Sequence, residues 1–264
     1  ISSDFDELMK CLSKNGQSII SFIFNIQMIH EPNRFLRFIQ MLSNCSNLVN
    51  LGLTTIDPFV FFLFTDYFCR VHGNNLTDEM FTQLYRILYE NCPKLTLLDL
   101  GDNQLTNKSI VHVCSLILPD IKRKGRQQTK IKFPLKINLF VIFLGLEELI
   151  LSANRLITNA GWTELFFSIS FNSRIRRLAL DYNAFDGTTA GMLSMVIAQG
   201  NTVVNKIDLI NFRFSRTLTH LDLESCNLSE YAGQLFLTLF TKYPVKLEEI
   251  YLDRNPLILE STQV

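Results

Sequence analysis

The spacing of leucines and asparagines predicts an α/β solenoid, with short parallel strands stacked on a concave side and helices on the convex side. Three observations carry that expectation. First, the stretches Leu146 to Leu156 and Ile175 to Phe185 both read L-x-x-L-x-L-x-x-N-x-L with conservative exchanges, and their asparagines, Asn154 and Asn183, lie 29 residues apart; a fixed period of this size marks a repeat architecture. Second, the apolar period switches within each unit. It is two before the asparagine and helical after it, as in Trp162, Leu165, Phe166 and Ile169. Third, 47% of the 264 residues are apolar, 22 of them Phe. That suffices for a core running the length of a stack.

Taken in order, residues 34 to 42 place Phe35, Phe38, Ile39 and Leu42 on one helical face. They lead into Leu48, Leu51 and Leu53, the first weak strand. Register then breaks between Thr54 and Phe68, and the next unit has Asp66 where a leucine is expected. From Leu76 the pattern is regular, with Leu76, Met80, Leu84 and Leu88 on one helix face. The expected organisation is a single solenoid over 1–264, irregular with a weak repeat over 1–68 and regular over 69–259.

The marker position recurs at Asn74, Asn103, Asn154, Asn183, Cys226 and Asn255, at intervals of 29, 51, 29, 43 and 29 residues. The two long intervals locate inserts, one within 120–143 and one at 203–216. Both are rich in Lys, Ile, Asn and Phe, and removing the second rejoins the repeat cleanly. Surface loops, functional loops and translated intron all account for them. A marker asparagine satisfies backbone groups where a strand ends without a sheet partner, and Cys226 fills the same place as a small buried residue. These residues hold the fold rather than bind a ligand.

Lys plus Arg equals Asp plus Glu at 25 each, which removes a global argument for nucleic acid or a membrane surface. The six cysteines show neither C-x-x-C pairs nor a nearby histidine at zinc spacing. They read as buried thiols of a cytoplasmic or nuclear protein. The first residue is Ile1, so the sequence reads as a fragment. Nucleotide-binding, zinc-protease and nucleophile-elbow motifs are missing, so no catalytic residue, cofactor, metal ligand or small-molecule substrate is expected.

The units L-T-L-L-D-L-G-D-N-Q-L, L-E-E-L-I-L-S-A-N-R-L, I-R-R-L-A-L-D-Y-N-A-F, L-T-H-L-D-L-E-S-C-N-L and L-E-E-I-Y-L-D-R-N-P-L resemble leucine-rich repeats. Their length, helical second halves and Asn/Cys alternation are similar to the ribonuclease-inhibitor-like subclass. The resemblance implies a horseshoe with strands on the concave side, and a protein whose partners are other proteins.

Candidate binding residues are those between the strand leucines, which alternate outward. They form columns across successive repeats: Leu97, Glu148, Arg177, His220, Glu249; then Asp99, Ile150, Ala179, Asp222, Tyr251; then Gly101, Ser152, Asp181, Glu224, Asp253. Asp181, Glu224 and Asp253, with Asp222 and Glu249, predict an acidic patch flanked by Tyr182 and Tyr251, suited to a basic protein surface. The same residues also read as a solvated face balanced by Arg176, Arg177 and Arg254. His220 lacks a second histidine at ligand spacing, which argues against a metal site. The leading expectation is a non-catalytic scaffold or adaptor. One alternative is a regulatory module that activates a GTPase or inhibits an enzyme, as some similar repeat proteins do. Another is a membrane-associated regulator acting through the basic run from Lys122 to Lys136.

Overall fold

The computed structural model describes residues 2–16, 21–25, 32–42, 50–54, 68–92, 95–117, 145–170, 174–199, 218–242 and 245–256. Its strands are β1 (Ser21–Asn25), β2 (Asn50–Thr54), β3 (Phe68–Arg70), β4 (Leu97–Asp99), β5 (Glu148–Ile150), β6 (Arg177–Ala179), β7 (His220–Asp222) and β8 (Glu249–Tyr251). They form one parallel sheet in simple sequence order. The helices are α1 (Ser2–Lys14), α2 (Pro32–Leu42), α3 (Asp78–Asn91), α4 (Asn107–Ile117), α5 (Asn159–Ser170), α6 (Gly187–Gln199) and α7 (Glu230–Lys242), and each packs on its neighbour in the series. This is the α/β solenoid that the periodicity implies.

Register follows the leucine ladder. Cys69 pairs with Leu98, Leu98 with Leu149, Leu149 with Leu178, Leu178 with Leu221 and Leu221 with Ile250. The strands flanking each long interval therefore pair as though the interval were standard. The inserts at 120–143 and 203–216 themselves lie outside the described residues.

The N-terminal part adds a strand, β1, that the leucine spacing does not mark. β1 pairs with β2, Phe22 opposite Leu51 and Phe24 opposite Leu53, a full 29-residue step in which aromatic residues replace leucine. Leu51 then pairs with Cys69, only eighteen residues on. The irregularity is thus a shortened step between β2 and β3, with Cys69 in β3 and Val71 just past its end, both fully buried, in the places of the ladder leucines.

Why the stack coheres is visible at β5 and α5. Leu149 and Leu151 turn inward from the strand while Trp162, Leu165, Phe166 and Ile169 meet them from the helix, all fully buried. Each such side chain contributes ~1.5–3 kcal/mol relative to exposure. The Trp162 ring meets Phe185 of the next repeat edge-on, with centroids 5.4 Å apart. The hydrophobic contact therefore crosses the repeat boundary, and no repeat can shed it alone.

Polar ties cross the same boundaries. Asn103 donates from Nδ2 to the carbonyls of Leu100, Gly101 and Val71, and its Oδ1 accepts from the backbone N–H groups of Asn74 and Leu76. Asn255 repeats this arrangement toward Leu223, Leu252, Asp253, Cys226 and Leu228. Asn154 and Asn183 each donate to three carbonyls, while their Oδ1 atoms have no partner among the described residues. Asn74 donates to the His72 carbonyl. Cys226 donates from Sγ to Leu180 O at 3.1 Å, in the place of the asparagine amide, and burial pushes its thiol up to about 12.

The residue before each marker carries a positive φ: Gly73, Asp102, Ala153, Tyr182, Ser225 and Arg254. A left-handed residue turns the chain out of the strand toward the helix. That turn decides where the third column of outward side chains points.

Candidate functional site

The strand face carries the predicted binding residues, and its main chain is tied strand to strand from β1 to β8. The parallel ladder continues past the ends of the strands, with Ala153 N–H donating to Asp181 O, Tyr182 N–H to Glu224 O and Ser225 N–H to Asp253 O, each at 2.9 Å. The three carboxylates of Asp181, Glu224 and Asp253 are thus fixed at one place in successive repeats, along the lip where strands give way to turns. Neighbouring parallel strands lie about 4.8 Å apart. Like charges at that spacing repel.

The electrostatics of Asp222 report this crowding. Burial, and then the carboxylates of Asp181, Glu224 and Asp253, push its carboxyl above the ordinary value, against the Glu224 N–H that donates to it at 3.0 Å. Part of the lip is compensated. Ser152 Oγ donates to Asp181, and Arg254 lies 3.3 Å from Glu224. Asp253 has no such compensation among the described residues.

Tyr182 sits in the turn after β6 rather than on the strand, two-fifths exposed, with φ of 59°. Its hydroxyl donates to Glu224 at 3.3 Å and accepts from Arg254 Nη1 at 3.1 Å. Tyr251 stands on β8, half exposed, and its hydroxyl donates to Glu249 at 3.1 Å, which holds its pKa above the usual phenol value. The two predicted aromatic residues therefore flank the acidic lip from different levels of the face.

At the opposite ends of the strands the charges are mixed. Arg174 is ion-paired to Glu147, which also lies 3.9 Å from Arg176. His220 Nδ1 is 2.7 Å from the Thr219 hydroxyl, and its Nε2 is 3.5 Å from Glu249. That packing accounts for the ring without a ligand. Among the described residues no group of three or more His, Cys, Asp or Glu is placed to hold a metal ion. Glu148 and Arg177 face each other across β5 and β6 without forming an ion pair.

Two adjustments to the columns follow. Leu97, expected to face outward, is buried beside Phe68 of β3. The columns also begin one repeat earlier, at Phe68, Arg70 and His72. The Arg70 guanidinium lies 5.1 Å from the Phe68 ring centroid, and His72 contacts Asp99 at 3.2 Å, a hydrogen bond that raises its pKa. The same offsets from Asn74 that define the later columns point to these residues. Counting from Leu97 left them out.

A parallel strand face over outer helices, tied by asparagines 29 residues apart wherever no long interval intervenes, is the architecture of an α/β leucine-rich-repeat solenoid. The chain is 28% identical over 260 residues to leucine-rich repeat-containing protein 73 of Rattus norvegicus, and equally to that of Homo sapiens. The match covers 98% of this chain and 65% of each relative, so the chain spans about two thirds of their length. No family model matches the sequence. Among solved structures, the tropomodulin C-terminal domain of Caenorhabditis elegans aligns with a TM-score of 0.43 at 12% identity, over 73% of this chain and 90% of that one.

Proposed function

We propose that the chain is a non-catalytic interaction module whose strand face docks a protein partner through a basic surface. The observation that carries this is the row Asp181, Glu224 and Asp253 on three successive turns, held in line by the main-chain bonds of the ladder; together with burial, the larger cause, these carboxylates raise Asp222. A fold does not need like charges in register, since mixed signs would be more stable. A partner's cations relieve the repulsion and gain affinity and on-rate from it. The curated relatives carry leucine-rich repeats in their name, which agrees with a protein-binding role.

The exposed anchors are Tyr182 and Tyr251, an amphipathic pair of the kind that dominates interface energies. Burial holds the Cys69, Cys114 and Cys226 thiols protonated and unreactive, in keeping with a cytoplasmic or nuclear protein. The basic run from Lys122 to Lys136 lies outside the described residues. In this reading it is no membrane or nucleic-acid site; deleting 121–143 leaves vesicle and nucleic-acid binding unchanged.

The test is quantitative affinity purification with the wild type and with a variant carrying Asp181→Lys, Glu224→Lys and Asp253→Lys. The reading expects a set of partners lost only from the variant and released from the wild type by salt. Identical recoveries with identical salt dependence would remove it.

A further inference from the structure

β8 is the last strand of the sheet, so one of its edges is open. In the inner repeats the inward residues of a strand bond to the next one, as Leu151 N–H does to Ala179 O, Leu180 N–H to Asp222 O and Leu223 N–H to Tyr251 O. The corresponding residues of β8, Ile250 and Leu252, aim their peptide groups along the open edge, and Leu252 N–H has no backbone partner among the described residues. Both side chains are only half-buried, while Leu98, Leu149, Leu178 and Leu221 on the same ladder are covered almost completely. α7 repeats the contrast. Counted from the marker, Leu237 takes the place of Cys114 and Ser194, and Phe240 that of Ile117 and Ile197, all four buried. Cys114 shows what covers that place, since its Sγ lies 3.9 Å from Glu164 O of the next helix. Leu237 is instead 65% exposed and Phe240 39%. The other end of the helix row differs in kind, because α1 exposes Glu7, Lys10 and Lys14, the polar surface that finishes a repeat array. The end formed by β8 and α7 has the chemistry of an interior face.

We infer that a second copy of the chain covers this end, its β8 running antiparallel to the first about a two-fold axis at Tyr251. A head-to-tail stack would press the apolar end against the charged helix α1. A two-fold contact matches the end with itself and closes at two copies. The register follows from the open groups: Ile250 of each copy pairs with Leu252 of the other, and each pair exchanges two hydrogen bonds. The four inward side chains then share one face of the joined sheet, and Leu237 and Phe240 of the two α7 helices meet on the helix side. Tyr251 faces its own symmetry mate in a non-hydrogen-bonded pair, with Cα atoms about 4.5 Å apart. Glu249 falls opposite Asp253 of the second copy, a like-charged pair. Salt screens that pair, so the dimer tightens as salt rises, the reverse of docking on the acidic lip.

This inference is independent of the basic-partner reading. The test is sedimentation velocity on the 264-residue chain over a range of concentration and salt, joined to disulfide trapping in a Cys11→Ser/Cys45→Ser background. A dimer of twice 30.5 kDa is expected, tighter at high salt. Leu237→Lys/Phe240→Lys is expected to weaken it at least ~30-fold, with an unchanged circular-dichroism spectrum. Under mild oxidation Tyr251→Cys links the two copies, because their spacing at the axis is within disulfide reach, and Asp253→Cys does not. A chain that stays monomeric at every concentration overturns the inference. So does a dimer that Leu237→Lys/Phe240→Lys leaves intact, one that loosens as salt rises, or one in which Asp253→Cys links as readily as Tyr251→Cys.

Discussion

Arg254, in the turn after β8, reaches back across two strands to Tyr182, its Nη1 donating to the tyrosine hydroxyl at 3.1 Å while it lies 3.3 Å from the Glu224 carboxylate between them. Three successive turns are thereby clasped on the side where the carboxylates gather. The clasp leaves the Tyr182 ring two-fifths exposed and its backbone left-handed. A bulky residue is disfavoured there by ~1 kcal/mol.

Tyr182→Gly is therefore expected to leave stability within about 0.5 kcal/mol of the wild type, because relief of the left-handed strain offsets the lost surface contacts and the added chain entropy. Binding to a basic partner falls sharply. Urea denaturation and titration calorimetry on the same sample check the two halves. A large loss of stability would show that the ring serves the fold.

The asparagine ladder makes an internal comparison. Asn103 satisfies five backbone groups, whereas Asn154 satisfies three and has an Oδ1 without a partner. Asn103→Ala is expected to cost ~3 kcal/mol or more and Asn154→Ala ~2 kcal/mol, since buried backbone groups are orphaned in each. Urea midpoints give the order directly, and equal losses would contradict it.

Much of this was legible because burial enforces periodicity. Leucine gives way at the inward positions only to other apolar residues, as at Cys69, Val71 and Ile250, and the marker must carry a donor for the preceding strand, as Asn and Cys226 both do. β1 escaped notice because Phe22 and Phe24 stand where leucines were sought, although they lie one full step before Leu51 and Leu53. The left-handed column had no signature at all. Gly, Asp, Ala, Tyr, Ser and Arg share that backbone without sharing chemistry. Outward columns could be read from alternation, but which charges pair could not, since Arg254 selects Tyr182 and Glu224 through the turn geometry.

Asp78 joins repeats on the helix side and makes stability depend on acid. It accepts from Ser109 Oγ at 2.5 Å, from Thr106 Oγ1 at 2.6 Å and from Thr106 N–H at 3.0 Å. Burial raises its pKa, but these three donors outweigh burial and hold the carboxyl below its ordinary value of 3.8. A depressed folded-state pKa gives stability that is present above the unfolded value and lost as pH falls through the folded one. Asp78→Asn should cost ~1–2 kcal/mol at neutral pH. The gap between variant and wild type should close on acidification below that range, as thermal melts across pH would show.

Asp222 behaves in the opposite sense. Its raised pKa means that the folded state gains stability as pH falls through the folded value and loses it as pH rises. Asp222→Asn keeps an oxygen for the Glu224 N–H and removes the charge. The variant should match or exceed the wild type in melting temperature at neutral pH, with no advantage below the ordinary carboxylate range. A variant less stable at neutral pH would show that the acidic lip is not strained.

The account stands on the claim that this crowding exists for a partner. Its most direct test is the affinity of a purified partner for the wild type and for Asp181→Lys/Glu224→Lys/Asp253→Lys, measured by titration calorimetry across a range of salt. The claim predicts wild-type binding that weakens steeply with salt, and a variant that binds at least ~100-fold more weakly at low salt and shows little salt dependence. Equal affinities and equal salt slopes would contradict it.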